Sequence, residues 1–142
     1  MDKEKEKIAE MLFQQLKPTS SISLTEALNE FSRGEVGVLS YLAFDKDEAS
    51  AGELSEKLQV STARIASILN SLENKEYIKR KEDDIDKRKT LVVITPKGKE
   101  LAFKTKQEII KKIMKVIDEV GYEEIKTYVK IALKIRDALD KQ

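Results

Sequence analysis

The sequence predicts a mainly α-helical fold that carries one small β-hairpin, with helices at both ends of the chain. Three observations support this fold class. Only 5 Gly and 2 Pro occur in 142 residues. Apolar side chains recur at steps of three and four over most of the chain, which is the spacing of amphipathic helices. That spacing changes to the pattern of β-strands only between residues 77 and 94.

The first element is an amphipathic helix from about Lys3 to Lys17, which a proline ends. A short helical stretch near residues 24–30 is predicted next. Another helix follows and runs to about Phe44, before a polar loop from Asp45 to Glu48. We therefore assign residues 1–32 to an N-terminal helix and connector that form part of a dimerisation region.

Two short helices joined by a tight connection come next. Ser50 and Ser61 precede them and suit the N-cap position, because a hydroxyl oxygen can accept a hydrogen bond from a free backbone N–H. Gln59-Val60 forms the connection. The second helix runs to about Lys75 with its apolar residues on one stripe, so its opposite face is polar and exposed. The residues expected to hold the two helices together are Leu54, Leu58, Val60, Ile65 and Leu69.

Two strands rich in β-branched and aromatic residues follow, at Tyr77 to Lys81 and Thr90 to Ile94. Seven of the eight residues between them, 82–89, are charged, so this segment is predicted to be a solvated hairpin tip. The order of helix, tight turn, helix and hairpin is that of a winged helix-turn-helix. We assign this domain to residues 33–95.

The C-terminal part, residues 96–142, is predicted to contain two helices. Thr95-Pro96 begins the first, with Pro in the first turn, and Gly121 ends it. The apolar residues of the last helix have the spacing of a coiled-coil seam. The apolar stripes of the first helix and of the two C-terminal helices are larger than a small winged domain can bury, which predicts a homodimer. The alternative is that a helix folds back on its own domain. The predicted dimerisation residues are Ile8, Met11, Leu12, Ile113, Ile117, Ile125, Tyr128, Ala132, Ile135 and Leu139.

The net charge is only +1, from 27 Lys and Arg and 26 Asp and Glu, but it is unevenly distributed. Residues 57–104 hold 12 Lys and Arg against 7 Asp and Glu, a net charge of +5, and the rest of the chain carries −4. Neutralisation of phosphates by such cations dominates the affinity of proteins for DNA. This distribution therefore predicts double-stranded DNA as a partner of the winged domain.

The candidate DNA-binding residues lie on the second helix of the helix-turn-helix and at the hairpin. Small and polar side chains let that helix approach the major groove, where Ser, Thr, Asn and Arg can bond base edges or phosphates. The structural alternatives are a solvated helix face and edge-strand charges that discourage aggregation. The helix residues are Thr62, Ala63, Arg64, Ser67 and Asn70, and the basic residues of the hairpin and its base are Lys79, Arg80, Lys81, Lys87, Arg88 and Lys89.

Several stretches of the chain carry a resemblance to a known family. The Asp-x-Arg wing, followed by a strand and Ile-Thr-x-x-Gly, is the most specific of them. The resemblance is to the MarR (multiple-antibiotic-resistance regulator) family. It implies a homodimer with intertwined terminal helices, a recognition helix in each major groove and wing tips in the flanking minor grooves. The similar stretches are Gly34 to Leu39, Glu53 to Ala66, Leu69 to Arg80, Asp86 to Lys89 and Leu91 to Gly98.

By this resemblance Ser61 joins the recognition-helix positions, Arg88 enters the minor groove and Asp86 orients the wing. Two features differ from the family pattern. The wing tip carries the acidic run 82–84, which is unfavourable beside phosphates. Glu76 stands where the family commonly has Gly, which predicts a less tight turn after the recognition helix.

The resemblance further implies a small aromatic or amphipathic effector in a crevice between the dimer helices and the winged domain. Phe13, Phe31, Tyr41 and Phe44 are the candidates to line it, and ordinary core or interface aromatics are the alternative. The chain has no Cys and no His, which excludes a switch based on thiol oxidation. We expect no cofactor and no metal; a hard cation held by carboxylates is the alternative that the composition leaves open.

We therefore expect a sequence-specific DNA-binding transcriptional regulator, a ligand-responsive repressor that acts as a homodimer on a pseudo-palindromic operator. The alternative is a winged-helix protein–protein interaction module without DNA-binding specificity, which the acidic hairpin tip favours. An enzyme is not expected, because the chain has no Gly-rich phosphate loop, no nucleophile elbow and no separated pair of carboxylates in a plausible pocket. With no apolar run of about 20 residues and no signal-peptide pattern, we expect a cytoplasmic protein without membrane contact.

Overall fold

The computed structural model describes residues 2–16 and 34–142. This part of the chain is mainly helical with a small antiparallel sheet, which confirms the predicted fold class. The predicted helical stretch near residues 24–30 and Phe31 lie outside the described residues. The helices are α1 (Asp2–Leu16), α2 (Glu35–Ser40), α3 (Ala51–Leu58), α4 (Thr62–Asn74), α5 (Pro96–Val120) and α6 (Tyr122–Asp140); the strands are β1 (Glu48–Ser50), β2 (Ile78–Glu82) and β3 (Thr90–Ile94); and a π-helical turn, Tyr41–Asp45, continues α2.

The wing belongs to a three-stranded sheet in the order β1-β3-β2, in which both pairs of neighbouring strands are antiparallel. β1 pairs Ala49 with Val92 of β3, and β2 pairs Ile78 with Ile94 of β3. The sequence pattern predicts only the two strands of the hairpin and assigns Glu48 to a loop, so β1 corrects that prediction. With three residues, β1 is too short to display a recognisable alternation of polar and apolar side chains.

One hydrophobic core lies between α2, α3 and α4 on one side and the inner face of the sheet on the other. Ala102, on the second turn of α5, is fully buried and joins this core. Of the five residues predicted to hold the helix pair together, four are buried and Leu58 is partly buried. The largest fully buried side chains are Val38, Leu39, Leu42, Leu54, Ile65, Leu69, Leu72, Ile78 and Val92.

The two helices of the helix-turn-helix begin at the predicted N-caps. The Ser50 hydroxyl oxygen accepts a hydrogen bond from the Glu53 N–H at 3.1 Å, and the Ser61 hydroxyl oxygen accepts one from the Arg64 N–H at 3.2 Å. Between the two helices, Gln59 adopts the left-handed conformation with φ of 52°. These contacts confirm both N-caps and the tight connection between α3 and α4.

The turn after α4 is closed as well, although Glu76 stands at its left-handed position with φ of 63°. The Tyr77 N–H donates to the Leu72 carbonyl at 2.9 Å, and the Glu76 N–H donates to the Glu73 carbonyl at 3.0 Å. This pair of bonds is the Schellman motif that commonly ends a helix. The turn is therefore tight, contrary to the expectation from the sequence, and the strain lies in the backbone of Glu76.

Replacement of Glu76 by Gly is expected to raise the free energy of unfolding by about 0.5–1 kcal/mol. Relief of the left-handed conformation contributes about 1–2 kcal/mol, and the greater entropy of an unfolded glycine offsets about 0.4–1 kcal/mol of it. Urea unfolding followed by circular dichroism measures the change. Asn74→Gly, at the helical end of α4, is the control and should destabilise the protein. Destabilisation by both variants would contradict the strain at Glu76.

The apolar residues of α1 and α6 whose burial is described are exposed or half-buried within a single chain. No residue of α6 is buried, and Tyr128 and Leu139 are 68% and 62% exposed. Of the other predicted dimerisation residues, Ile8, Met11, Leu12 and Ala132 are exposed, and Ile113, Ile117, Ile125 and Ile135 are half-buried.

Among the residues that the structure describes, no helix combines the length and the apolar character needed to cross a membrane.

Candidate nucleic-acid interface

α4 presents one exposed face made of small and polar side chains. Its opposite stripe is buried in the core. Ala63, Ser67 and Asn70 follow one another at helical spacing and form an exposed stripe, and Thr62 and Arg64 lie beside its start. All five are exposed, as is Ser61 before the helix. The structure therefore brings the predicted recognition-helix residues onto a single accessible surface.

The start of α4 adds backbone donors to this surface. The Ser61 hydroxyl oxygen accepts a hydrogen bond from the Arg64 N–H. The Ser61 carbonyl oxygen accepts one from the Ile65 N–H at 3.0 Å. The N–H groups of Thr62 and Ala63 precede the first intrahelical bond and point out of the helix end, where the helix dipole is positive. Such a helix terminus can bind a phosphate group.

Hydrogen bonds within the hairpin give its tip a defined shape. The Asp83 N–H donates to the Lys89 carbonyl at 3.0 Å, and the Lys89 N–H donates to the Asp86 carbonyl at 2.9 Å. The Asp86 carboxylate accepts from the backbone N–H of Arg88 at 3.1 Å and from its Nε at 3.3 Å. The Arg88 side chain is 93% exposed. Asp86 is therefore placed to orient an arginine that projects from the wing.

The acidic side of the tip also contributes to its shape. The Asp83 carboxylate accepts a hydrogen bond from the Ile85 N–H at 3.0 Å, and the Ile85 side chain is 96% exposed. The tip thus consists of an apolar apex, an acidic shoulder at residues 82–84 and an exposed basic shoulder from Lys87 to Lys89.

The three cations of β2 lie on two different faces of the sheet. Alternation along the strand places Arg80 on the same face as the buried Ile78, and places Lys79 and Lys81 on the opposite face. The Lys81 Nζ lies 2.7 Å from Oε2 of Glu48, and this hydrogen bond raises the pKa of Lys81 above its usual value. The sequence groups the three cations as one basic patch, although the strand alternation is the signal that separates them.

A polar cluster that the sequence did not predict ties α4 to α2. The Glu35 carboxylate accepts hydrogen bonds from the Ser71 hydroxyl and from Nζ of Lys75, the latter at 2.9 Å. Partial burial by itself would raise the pKa of Glu35. The hydrogen bonds from Ser71 and Lys75, together with the charge of Lys75, have a larger combined effect in the opposite direction, so the pKa of Glu35 lies below its usual value. The cluster holds α4 on the flank between its exposed stripe and its buried stripe. No local pattern signals it, because Glu35 and Ser71 are 36 residues apart.

The structure describes three of the four residues predicted to line an effector crevice. Phe31 lies outside the described residues, and Phe13 is exposed on α1. The Tyr41 hydroxyl donates to a carboxylate of α3 at 3.2 Å and so belongs to the winged domain. Phe44 packs edge-on against Phe103 of α5, with the ring centroids 4.9 Å apart.

An open groove of about 550 Å³ runs along α5 beside this aromatic pair. The Lys106 ammonium, which lines the groove, lies 4.4 Å from the centroid of the Phe44 ring. An aromatic ring, an aliphatic side chain and two cations suit an apolar molecule that carries a negative group. The groove is lined by Phe103, Lys106, Gln107, Ile110 and Lys111.

Comparisons with known proteins agree with this architecture. The sequence profile of the winged helix DNA-binding domain family matches residues 35–114. YdgJ of Bacillus subtilis, an uncharacterized HTH-type transcriptional regulator, is 26% identical over 115 residues, which cover 81% of this chain and 70% of that protein. AbsC, a MarR family transcriptional regulator from Streptomyces coelicolor, has a TM-score of 0.68 at 19% identity, with 97% of this chain and 96% of that chain covered. FabT of Streptococcus pneumoniae, solved in complex with DNA, has a TM-score of 0.65 at 20% identity, with 99% and 97% covered.

The matched residues 35–114 comprise more than half of the chain and include the helix-turn-helix, the wing and most of α5. The structural likeness covers nearly the whole chain. The chain therefore belongs to the winged helix DNA-binding domain family and has the fold of the MarR family of transcription regulators, which confirms the resemblance indicated by its motifs.

Proposed function

We propose that this chain is a sequence-specific DNA-binding transcriptional regulator that acts as a homodimer on a pseudo-palindromic operator. The observation that carries the proposal is the exposed stripe of α4, where small and polar side chains lie beside Arg64 and behind the Ser61 cap. The core and the Glu35 cluster hold α4 from its other sides, so the exposed face is preorganised. The major groove of B-DNA admits one α-helix of this kind.

The hairpin is proposed to supply the second part of the contact. Arg88, oriented by Asp86, would enter the minor groove beside each half-site, and Lys87 and Lys89 would neutralise phosphates. Ser61 and the first N–H groups of α4 would meet the phosphate backbone at the edge of the major groove. The existence of a DNA complex of FabT, which shares this fold, supports the proposal.

The homodimer part of the proposal rests on the uncovered apolar residues of α1, α5 and α6. Exposed apolar side chains in such number commonly mark an interface between chains. A two-fold dimer would place its two recognition helices about 34 Å apart, which is one turn of B-DNA. For that reason we propose an operator with two similar half-sites.

We also propose that the regulator is a repressor that a small aromatic or amphipathic effector releases. The groove along α5 supports this part, because it lies beside the contact between Phe103 of α5 and Phe44 of the winged domain. A ligand that displaces Phe103 would change how the winged domain sits on α5. A 100-fold change in operator affinity requires about 2.7 kcal/mol of coupling. Screening aromatic and amphipathic compounds for release of a selected operator tests this part.

Replacement of Arg64 by Ala is expected to weaken specific operator binding by about 1–3 kcal/mol, because a guanidinium that bonds a base edge contributes this much. The Arg64 side chain is exposed, and only its backbone N–H takes part in the cap, so the fold should persist. The operator is first selected from genomic DNA with purified protein, and fluorescence anisotropy then measures the affinity at several salt concentrations. Arg136→Ala removes the same charge from α6 and should leave the affinity near that of the wild type.

Two outcomes would contradict this proposal. A protein that enriches no genomic site and shifts no duplex from its own upstream region is not a sequence-specific regulator. Equal losses for the Arg64 and Arg136 variants would show that the first acts through net charge alone, not through a base contact.

The hairpin tip favours a second function. The exposed Ile85 beside the acidic run 82–84 suits a contact with a basic, partly apolar protein surface better than a contact with phosphates. The alternative is therefore a winged-helix protein–protein interaction module without DNA-binding specificity. A co-purifying protein partner together with no measurable DNA affinity at low salt would support this alternative over the first proposal.

A further inference from the structure

The Arg80 side chain lies against α4, at the point where the recognition helix and the wing meet. Its Nη2 donates a hydrogen bond to Oδ1 of Asn70 at 3.0 Å, and its Nη1 lies 3.8 Å from Oε1 of Glu73. Asn70 and Glu73 are three residues apart and are therefore neighbours on the helix surface. The guanidinium group thus bridges one turn of α4 from the adjacent strand.

This contact determines which way the Asn70 carboxamide faces. A guanidinium group has only donors, so the atom that meets it must be the amide oxygen. The Nδ2 group, which carries two donors, is then turned away from Arg80. Because Asn70 belongs to the exposed stripe with Ala63 and Ser67, these donors lie at the surface that is proposed to meet DNA.

We propose that Arg80 is a positioning residue for sequence recognition, which holds Asn70 so that it offers hydrogen-bond donors to a guanine. An unrestrained Asn pairs with adenine through both amide atoms, with its oxygen on N6 and its nitrogen on N7. When Arg80 holds the oxygen, Asn70 fits guanine better, because the major-groove edge of guanine offers two acceptors and no donor. The inference rests on the proposed DNA-binding function and names the base that Asn70 prefers.

The surroundings of Arg80 distinguish it from the other cations of β2. Lys79 and Lys81 lie on the opposite face of the sheet, and Lys81 pairs with Glu48 there. The Arg80 side chain is only 34% exposed, because it lies between strand and helix. A cation that only neutralised phosphates would need no hydrogen-bond acceptor on α4. Arg80 instead lies beside two acceptors on that helix, the side-chain oxygens of Asn70 and Glu73.

The test compares the base preferences of matched full-length variants, each selected against random duplex DNA. Arg80→Met removes the donors and keeps an unbranched stem, whereas Lys115→Met removes the same charge from an exposed position of α5, away from the proposed interface. For the wild type and Lys115→Met we expect about a tenfold preference for guanine over adenine at the base pair that Asn70 contacts. For Arg80→Met we expect that preference to disappear or to shift toward adenine, because the amide is then free to turn.

Two further variants complete the test. Asn70→Ala identifies the base pair, since discrimination should be lost there and retained elsewhere. The double variant Asn70→Ala/Arg80→Met should have the same base preference as Asn70→Ala alone, because Arg80 acts through Asn70. If Arg80→Met is unfolded by circular dichroism, Arg80→Gln replaces it; a Gln side chain also offers an acceptor and no longer imposes one orientation on Asn70.

The outcomes separate the inference from the proposed function. If loss of Arg80 weakens binding to all sequences by one factor and leaves every base preference unchanged, Arg80 is a phosphate contact only and the inference is wrong. An unchanged preference in Asn70→Ala overturns it as well. In both cases the proposed function stands. If the wild-type protein selects no duplex, the inference and the proposed function are both overturned.

Discussion

Replacement of Gly98 by Ala is expected to lower the free energy of unfolding by about 3 kcal/mol, near the upper end of overpacking effects. Gly98 is buried in the first turn of α5, where a methyl group would overlap the Tyr77 carbonyl oxygen and lie 2.8 Å from Cγ1 of Ile94. The Tyr77 carbonyl is held in place, because it accepts a hydrogen bond from the Thr95 N–H at 3.0 Å. The added methyl group therefore has to push α5 away from the sheet.

Gly52→Ala is the matched control, because Gly52 also lies in the first turn of a helix. A methyl group there would meet only the Ser50 hydroxyl oxygen, at an ordinary distance of 3.9 Å. We expect this variant to raise the free energy of unfolding by about 0.5 kcal/mol, because Ala favours the helix more than Gly does. Urea unfolding measures both variants, and equal changes in the two would show that the close approach at Gly98 does not constrain the fold.

Replacement of Ala132 by Glu is expected to separate the proposed homodimer into single chains and to lower operator affinity by at least about 100-fold, because the second half-site then no longer adds to the first. Ala132 lies within the apolar seam of α6 and is exposed in a single chain, so the substitution leaves the fold of that chain intact. In the dimer interface, the new carboxylate would have to be buried among apolar side chains, which is strongly unfavourable.

Ala138→Glu is the control for the dimer prediction. It makes the same change on the same helix, also at an exposed position, but on the flank of the seam. Sedimentation equilibrium measures the mass of each variant, and fluorescence anisotropy measures its operator affinity. A wild-type protein that sediments as one chain, or an Ala132→Glu protein that stays dimeric, is incompatible with the proposed interface.

Much of the fold follows from interactions that act within a few residues. Ser50, Ser61 and Thr95 each accept the backbone N–H three residues later, which is why the three helix starts could be predicted from residue types alone. Gly121, with φ of 117°, ends α5 where the sequence predicted. Apolar spacing placed the inner stripe of α4 correctly, because a long helix repeats its pattern over several turns.

Other features could not be predicted from the sequence. Some depend on contacts between residues that are distant in the sequence, and others are segments too short to show a pattern. β1 has three residues and exists because it pairs with β3. The turn at Glu76 is held closed by its hydrogen bonds despite a residue that disfavours the conformation. The cluster around Glu35 joins two helices that lie far apart along the chain.

The candidate site likewise has features that follow from the local sequence and features that depend on the folded structure. The amphipathic period of α4 and the uneven charge of the chain are local properties, and they were enough to indicate a recognition helix beside a basic hairpin. The hydrogen-bond partner of each cation of β2 is not a local property. Strand alternation separates Arg80 from Lys79 and Lys81, but only the folded structure shows that Arg80 donates to Asn70 and that Lys81 pairs with Glu48. These hydrogen bonds join separate elements, so they exist only once the chain has folded.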